Sequence, residues 1–121
     1  MTKTVLVADA EPNSVIPLEC LLRREGWRVL VAHDGDEALG TARREHPDLL
    51  LLDVLMPRRS GFEVLQTLRA DAELAATKVV FLSARCRDTD VAQGLGLGAD
   101  AFVAKPFSTR ELAARVRALL A

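Results

Sequence analysis

Five short apolar runs, separated by longer segments of helical period, constrain the fold of this chain most strongly. They occupy residues 4–8, 28–32, 49–52, 78–82 and 101–104. Each has the length and composition of a strand, and the unbroken hydrophobicity of the first indicates burial on both faces. Strands that alternate with helices form parallel sheets joined by right-handed crossovers. We therefore predict an α/β fold, a doubly wound five-stranded parallel sheet with five helices in a three-layer sandwich.

The helical segments carry their own end signals. The first should stop before Gly26, because glycine is favoured just past a helix end. Pro17 lies inside its apolar pattern, where the missing N–H is tolerated only in the first turn, so this helix either begins near Ser14 as its N-cap or bends at Pro17. Ser108 and Glu111 form a capping-box pattern at the start of the last helix. Gly94, Gly96 and Gly98 crowd the segment before the fifth strand, and glycine is costly inside a helix, so the fourth helix should be short, frayed or mobile.

Composition narrows the class of protein. The chain has 121 residues with 16 Lys and Arg against 17 Asp and Glu, a net charge of −1. We expect one domain over residues 1–121, with no output domain in the chain. The balanced charge argues against direct nucleic-acid binding, and no apolar stretch is long enough for a membrane span. Cys20 and Cys86 lack the spacing of a zinc site or disulfide framework, which favours a reducing, cytoplasmic location.

Four polar residues end four of the predicted strands. They are Asp9, Asp53, Ser83 and Lys105. In open α/β sheets the carboxyl ends of the strands meet at one crevice, where ligands bind. Carboxylates and water there suit a hard cation such as Mg²⁺, whereas the ammonium and hydroxyl suit the anionic oxygens of a phosphoryl group.

With these four residues in place, the chain resembles the receiver domain of two-component response regulators over essentially its whole length. The matching blocks are VLVAD at 5–9, LDVLMP at 52–57 with Gly61 following, FLSA at 81–84 and KPF at 105–107. Each block alone is a weak signal, but four in order at predicted strand ends are specific. The resemblance implies a flavodoxin-like strand order 2-1-3-4-5. It also implies a cis peptide bond before Pro106.

The resemblance also implies roles for individual residues. Asp53 matches the phosphoacceptor, whose carboxylate accepts a phosphoryl group, and Ser83 and Lys105 match the groups that bind its oxygens. Phe102 matches the aromatic switch that turns inward when Ser83 is drawn to the phosphoryl group, although core packing is an equally good interpretation. Leu55 matches the position whose backbone carbonyl binds Mg²⁺.

The stretch after the first strand departs from the family pattern. It reads Asp9-Ala10-Glu11, so Ala10 stands where receivers carry a second acid that binds the metal directly, and Glu11 matches a common third acid. The implied Mg²⁺ ligands are therefore Asp9, Asp53, the Leu55 carbonyl and, through altered geometry or water, Glu11. We expect a weakened but working site. The alternative is a domain that hardly binds Mg²⁺ and is phosphorylated slowly or not at all.

The leading interpretation is a signalling module rather than an enzyme, catalysing at most its own phosphorylation and dephosphorylation. Its expected partners are a histidine kinase or phosphotransfer protein and a downstream protein or output domain. The family's docking face for the phosphodonor is the first helix, where we expect Leu18, Leu21 and Cys20 to be partly exposed. Helix 4, strand 5 and helix 5 form the family's output or homodimer face. The alternative for the basic residues of helix 5 is that they only face solvent.

Three other interpretations remain open. A pseudo-receiver would use the fold as a phosphorylation-independent protein-binding module because of Ala10. A phosphohydrolase is a weak candidate, because Leu55 replaces the second acid such enzymes need. A flavin carrier is weak because the first loop lacks a phosphate cradle.

Arg58 and Arg59 follow Asp53 in a loop, and they form either a solvated basic segment or an attraction for the phosphodonor.

Overall fold

The computed structural model describes residues 2–84 and 88–121, and Cys86 lies outside these ranges. Within them, one parallel sheet has the order β2-β1-β3-β4-β5. The strands are β1 (Thr4–Ala8), β2 (Arg28–Ala32), β3 (Leu49–Asp53), β4 (Lys78–Ser83) and β5 (Ala101–Ala104). The helices are α1 (Pro12–Arg24), α2 (Gly35–Glu45), α3 (Gly61–Ala70), α4 (Asp88–Gly96) and α5 (Thr109–Leu120). The predicted fold class and strand order are confirmed.

Two apolar clusters cover the two faces of the sheet. Alternate residues of each strand point to opposite faces, so the buried leucines of β3 contribute to both clusters. One cluster joins the sheet to α2 and α3, and the other joins it to α1 and α5. β1 and β3 are buried along their whole length, as the unbroken apolar runs predicted. The carboxyl ends of the strands therefore stand on a sheet that is packed on both faces.

The start of α1 differs from the prediction. The helix begins at Pro12, with Glu11 as N-cap, and Pro17 lies in its interior. Of the two alternatives for Pro17, the one with Ser14 as N-cap is wrong, because Pro12 already supplies a first-turn residue with a preset φ and no N–H to satisfy. Pro17 is exposed and has no N–H to donate to the preceding turn.

The expected exposure on α1 is also partly wrong. Leu18 is buried, because it faces the sheet with Val15 and Leu22. Leu21 is partly buried and Cys20 is an exposed free thiol. The large apolar side chain that α1 presents to solvent is Ile16, which is 66% exposed.

Other local predictions hold. Ser108 caps α5 by accepting a hydrogen bond from the Glu111 N–H, and the Lys105–Pro106 peptide bond is cis. α4 has 9 residues and is the shortest helix in the described part of the chain. Among the described residues, no helix has the length and apolar character needed to span a membrane.

Candidate functional site

Three charged side chains meet at the carboxyl edge of the sheet. Asp9 follows β1, Asp53 ends β3 and Lys105 follows β5. The Lys105 Nζ donates to Asp9 Oδ2 at 2.7 Å and to Asp53 Oδ2 at 3.2 Å. The side chains of Lys105, Asp9 and Asp53 are 13%, 1% and 9% exposed. Two nearly buried carboxylates therefore share one ammonium.

Ser83 lies between these charged groups in the sheet. β4 separates β3 from β5, and Lys105 therefore extends across the end of β4 to reach Asp53. Ser83 is the last residue of β4 and is fully buried, with its carbonyl accepting from the Lys105 N–H at 2.8 Å. The four polar residues predicted from the strand ends thus lie on one edge of the sheet.

Backbone N–H groups hold the second oxygen of each carboxylate. The Glu11 N–H donates to Asp9 Oδ1 at 2.9 Å, and the Leu55 N–H donates to Asp53 Oδ1 at 3.2 Å. In both bonds the aspartate side chain accepts from the backbone N–H two residues further along the chain, the usual Asx-turn geometry. Each carboxylate is consequently bonded at both oxygens, which fixes the orientation of its plane.

The electrostatic environment of Asp53 is mixed. Burial raises the pKa of its carboxyl, and the charge of Asp9 adds to this, whereas Lys105 and the Leu55 N–H offset only part of the increase. Burial alone would lower the pKa of Lys105, but its hydrogen bond to Asp9 and the charges of both carboxylates outweigh burial and leave that pKa raised. At neutral pH Lys105 therefore stays protonated, whereas ionisation of the Asp53 carboxyl opposes folding.

Asp53→Asn is expected to stabilise the metal-free protein at pH 7 by on the order of 1 kcal/mol. Because the pKa of Asp53 is raised on folding, its ionisation opposes folding, and that cost is absent below its ordinary pKa of 3.8. The amide should keep the Leu55 hydrogen bond at its oxygen. Thermal melting in EDTA should give a midpoint about 3–6 °C higher at pH 7. The gain should shrink as the pH falls, and a gain of equal size at pH 3.5 would contradict the explanation.

The donor set suits a sparsely ligated Mg²⁺ ion. Among residues 2–84 and 88–121, no group of three or more His, Cys, Asp or Glu side chains is arranged to hold a metal. Ala10 has no side-chain oxygen, and exposed Glu11 accepts from the Ser14 hydroxyl at 3.4 Å. Asp9 and Asp53 remain as the side-chain oxygen donors. Mg²⁺ often takes only one or two protein carboxylates and keeps several waters, so these residues fit it.

The two remaining predicted residues lie at the edges of the site. The Leu55 side chain is 54% exposed, so its apolar surface faces solvent at the beginning of the β3–α3 loop. Phe102 is partly buried, and its ring centroid lies 5.7 Å from that of Phe81. Phe81 also contacts Phe62 edge-to-face at 5.2 Å. Phe102 therefore packs at the end of a row of aromatic rings.

Sequence reasoning missed how the β3–α3 loop is held. A Cβ on Gly61 would overlap the Asp53 carbonyl and lie 2.9 Å from Val54 Cα, so glycine is required beside the site. Arg59 pairs with Asp36 at 2.6 Å, and Arg58 pairs with Asp34, the N-cap of α2, at 3.5 Å. Neither of the two interpretations of the arginine pair included these partners. The N-cap pattern before α2 was a signal for Asp34, but not for its pairing.

Comparisons with known proteins agree with this geometry. A family model for the response regulator receiver domain matches residues 5–117. Response regulator GtcR of Aneurinibacillus migulanus is 42% identical over 120 residues, which are 99% of this chain and 48% of GtcR. The alkaline phosphatase synthesis transcriptional regulatory protein PhoP of Bacillus subtilis (strain 168) is 43% identical over 120 residues, 99% of this chain and 49% of PhoP. The chain thus spans about half the length of these relatives.

Solved structures with the same fold cover nearly the whole chain. The chemotaxis protein CheY4 of Vibrio cholerae superposes with a TM-score of 0.92 at 26% identity, covering 98% of this chain and 99% of that one. The Francisella response regulator 1452 receiver domain superposes with a TM-score of 0.90 at 32% identity, covering 98% of this chain and 97% of that one. The family match, the relatives and the fold all point to the same class of signalling module.

Proposed function

The chain belongs to the response regulator receiver domain family of two-component signalling, and on that premise we propose that Asp53 is its phosphoacceptor. The observation that carries this proposal is the shared Lys105 ammonium, 3.2 Å from Asp53 Oδ2 and 2.7 Å from Asp9 Oδ2. A buried cation at this position neutralises charge where a phosphoryl group would arrive. Receiver domains are signalling modules rather than classical enzymes, and phosphorylation here is a switch rather than turnover.

The transfer step uses the Asp53 carboxylate as nucleophile. An Oδ atom forms a bond to phosphorus as the bond from phosphorus to the leaving group breaks, giving an acyl phosphate. The leaving group is the imidazole of a kinase or phosphotransfer-protein phosphohistidine, which regains its proton, or the anion of a small phosphodonor. Lys105 and the Ser83 hydroxyl bind phosphoryl oxygens in the product. Because Lys105 keeps its proton well above neutral pH, its charge is available throughout.

Asp9, Asp53 and the Leu55 carbonyl are the residues that would hold Mg²⁺, with Glu11 as a fourth through water. When bound, the ion would neutralise charge on the carboxylates and on the phosphoryl group. With Ala10 in place of an acid, the chain supplies fewer direct ligands, which is why we place the site among the weaker ones of its kind.

Ala10→Asp is expected to tighten Mg²⁺ binding by about tenfold or more, because it adds a carboxylate directly beside Asp9. Melting temperatures recorded over a series of Mg²⁺ concentrations measure this affinity without any phosphorylation. Ala70→Asp, at an exposed position at the end of α3, is the matched control for added negative charge. An unchanged affinity in Ala10→Asp would show that Glu11 or water already fills the position.

The output of phosphorylation is a change of protein interface. Movement of the Ser83 hydroxyl toward the phosphoryl group would leave space into which the Phe102 ring turns, which changes the surface formed by α4, β5 and α5. A histidine kinase or phosphotransfer protein would dock at α1, and a downstream protein, an output domain or a second copy would use the α4-β5-α5 face. The location proposed for such a module is the cytoplasm.

The second candidate is a pseudo-receiver that binds its partner without phosphorylation, and Ala10 is the residue that favours it. Incubation with Mg²⁺ and acetyl phosphate separates the two candidates by intact mass. We expect the wild-type chain to gain one phosphoryl group that hydroxylamine removes, and Asp53→Asn to gain none. A wild-type chain that stays unmodified while Ala10→Asp becomes phosphorylated would establish the pseudo-receiver.

A further inference from the structure

The loop that follows Asp53 is tied to the first turn of α2. Arg58 Nε lies 3.5 Å from Asp34 Oδ2, and Arg59 Nε lies 2.6 Å from Asp36 Oδ1. Between the two ion pairs, the Gly35 N–H donates to the Pro57 carbonyl at 3.3 Å. We call the two ion pairs, made by Asp34, Asp36, Arg58 and Arg59, the α2 latch.

The loop and α2 fit closely at the latch. A Cβ on Gly35 would overlap the Arg59 carbonyl and lie 2.5 Å from Arg59 Cβ, so the backbones touch with no space for a side chain. Arg58 has a φ of 71°, a left-handed backbone conformation that residues other than glycine rarely adopt. Such strain persists where the surroundings fix the backbone, and it concentrates at functional sites.

The same loop carries the backbone that contacts Asp53. The Leu55 N–H donates to Asp53 Oδ1 at 3.2 Å, and the far end of the loop returns to the strand through the Gly61 N–H, which donates to the Val54 carbonyl at 2.8 Å. A shift of the loop away from α2 would therefore move the Leu55 backbone relative to the Asp53 carboxylate. A small misplacement of a reacting group is enough to slow a reaction measurably.

The charges of both arginines are already matched. Asp36 neutralises Arg59, and Asp34 neutralises Arg58 while its other oxygen caps α2 through the Glu37 N–H at 2.8 Å. The paired charges leave little net field to draw an anion to the site. This separates the two ways in which the arginines could act on phosphorylation.

We propose that the α2 latch positions the Leu55 backbone for phosphorylation of Asp53, so that Arg58 and Arg59 are positioning residues rather than an attraction for the phosphodonor. The inference rests on the proposed function of Asp53. It assigns a role to Asp34 and Asp36, which follow β2 rather than the strands that carry Asp9, Asp53 and Lys105. The two hypotheses differ in sign, because removal of Asp36 harms a latch but would help an electrostatic attraction.

The test compares Asp36→Asn, Arg59→Gln and the swapped pair Asp36→Arg with Arg59→Asp. The rate of phosphoryl gain is measured by intact mass against acetyl phosphate concentration at saturating Mg²⁺. We expect each single variant to lower the maximal rate by about two- to fivefold, the range set by an exposed ion pair. The half-saturating acetyl phosphate concentration should stay unchanged. The swapped pair should recover at least half of the loss, and Arg43→Gln, on the exposed side of α2, should match the wild type.

Opposite effects of Asp36→Asn and Arg59→Gln, with a changed half-saturating concentration, would overturn the latch and support attraction of the phosphodonor. Equal rates in all variants would overturn it as well. A wild-type chain that gains no phosphoryl group would overturn the proposed function itself, which is a different result from either.

Discussion

Lys105→Met is expected to lower the free energy of unfolding at pH 7 by about 3 kcal/mol in metal-free buffer. The substitution removes the ammonium that Asp9 and Asp53 share and leaves two nearly buried carboxylates without a cation. The pKa of Lys105 is raised on folding, so loss of its own proton removes the stabilising charge only as the pH rises from its ordinary pKa of 10.5 through the raised value. Neutral pH therefore shows the full effect.

Urea unfolding of Lys105→Met against pH measures this contribution. The deficit should shrink as the pH falls, because protonated carboxyls no longer need a cation. Lys78→Met, at the exposed start of β4, is the matched control and should stay close to the wild type. A deficit in Lys105→Met that is as large at pH 4 as at pH 7 would show that lost packing, rather than lost charge, is responsible.

Gly61→Ala is expected to destabilise the protein by about 2–3 kcal/mol, the cost of forcing a methyl group into a filled space. Its Cβ would overlap the Asp53 carbonyl and lie 2.9 Å from Val54 Cα and 3.0 Å from the Phe81 ring. The first two neighbours are backbone atoms, which cannot move aside as the end of a flexible side chain would. The start of α3 would therefore shift away from β3 and take the loop after Asp53 with it.

Gly40→Ala is the control for Gly61→Ala. Gly40 lies inside α2, and within the described residues an added Cβ there would meet no atom within 4 Å apart from its chain neighbours and the backbone of its own helix. Alanine is favoured over glycine in a helix interior by about 1 kcal/mol, so this variant should be more stable than the wild type. Thermal melting of both variants would show opposite shifts. Equal, small shifts would contradict the close packing at Gly61.

The strands were predicted from the sequence to within one residue, because burial on both faces of a parallel sheet leaves an unbroken apolar run. The meeting of Asp9, Asp53 and Lys105 was also predictable, because the carboxyl ends of parallel strands share one edge. The sequence did not indicate that Lys105 bonds both carboxylates across the end of β4. That detail depends on side-chain reach and on the strand order.

Features without a periodic signal were missed. The sequence analysis considered Ser14 as the N-cap of α1 and did not consider Pro12, although proline is also favoured in the first turn of a helix. The pairing of Arg59 with Asp36 joins residues 23 positions apart on exposed surfaces. Exposed ion pairs form wherever the packed backbone brings opposite charges together, so they leave no periodic pattern in the sequence.

The most direct test of the central claim is the position of the phosphoryl group. After incubation with Mg²⁺ and acetyl phosphate, borohydride reduction converts an aspartyl phosphate to homoserine, which peptide mass spectrometry locates. The account predicts homoserine at position 53 in the wild-type chain and none in Asp53→Asn. A phosphorylated chain with its modification at Asp9, or at any residue other than Asp53, would contradict it.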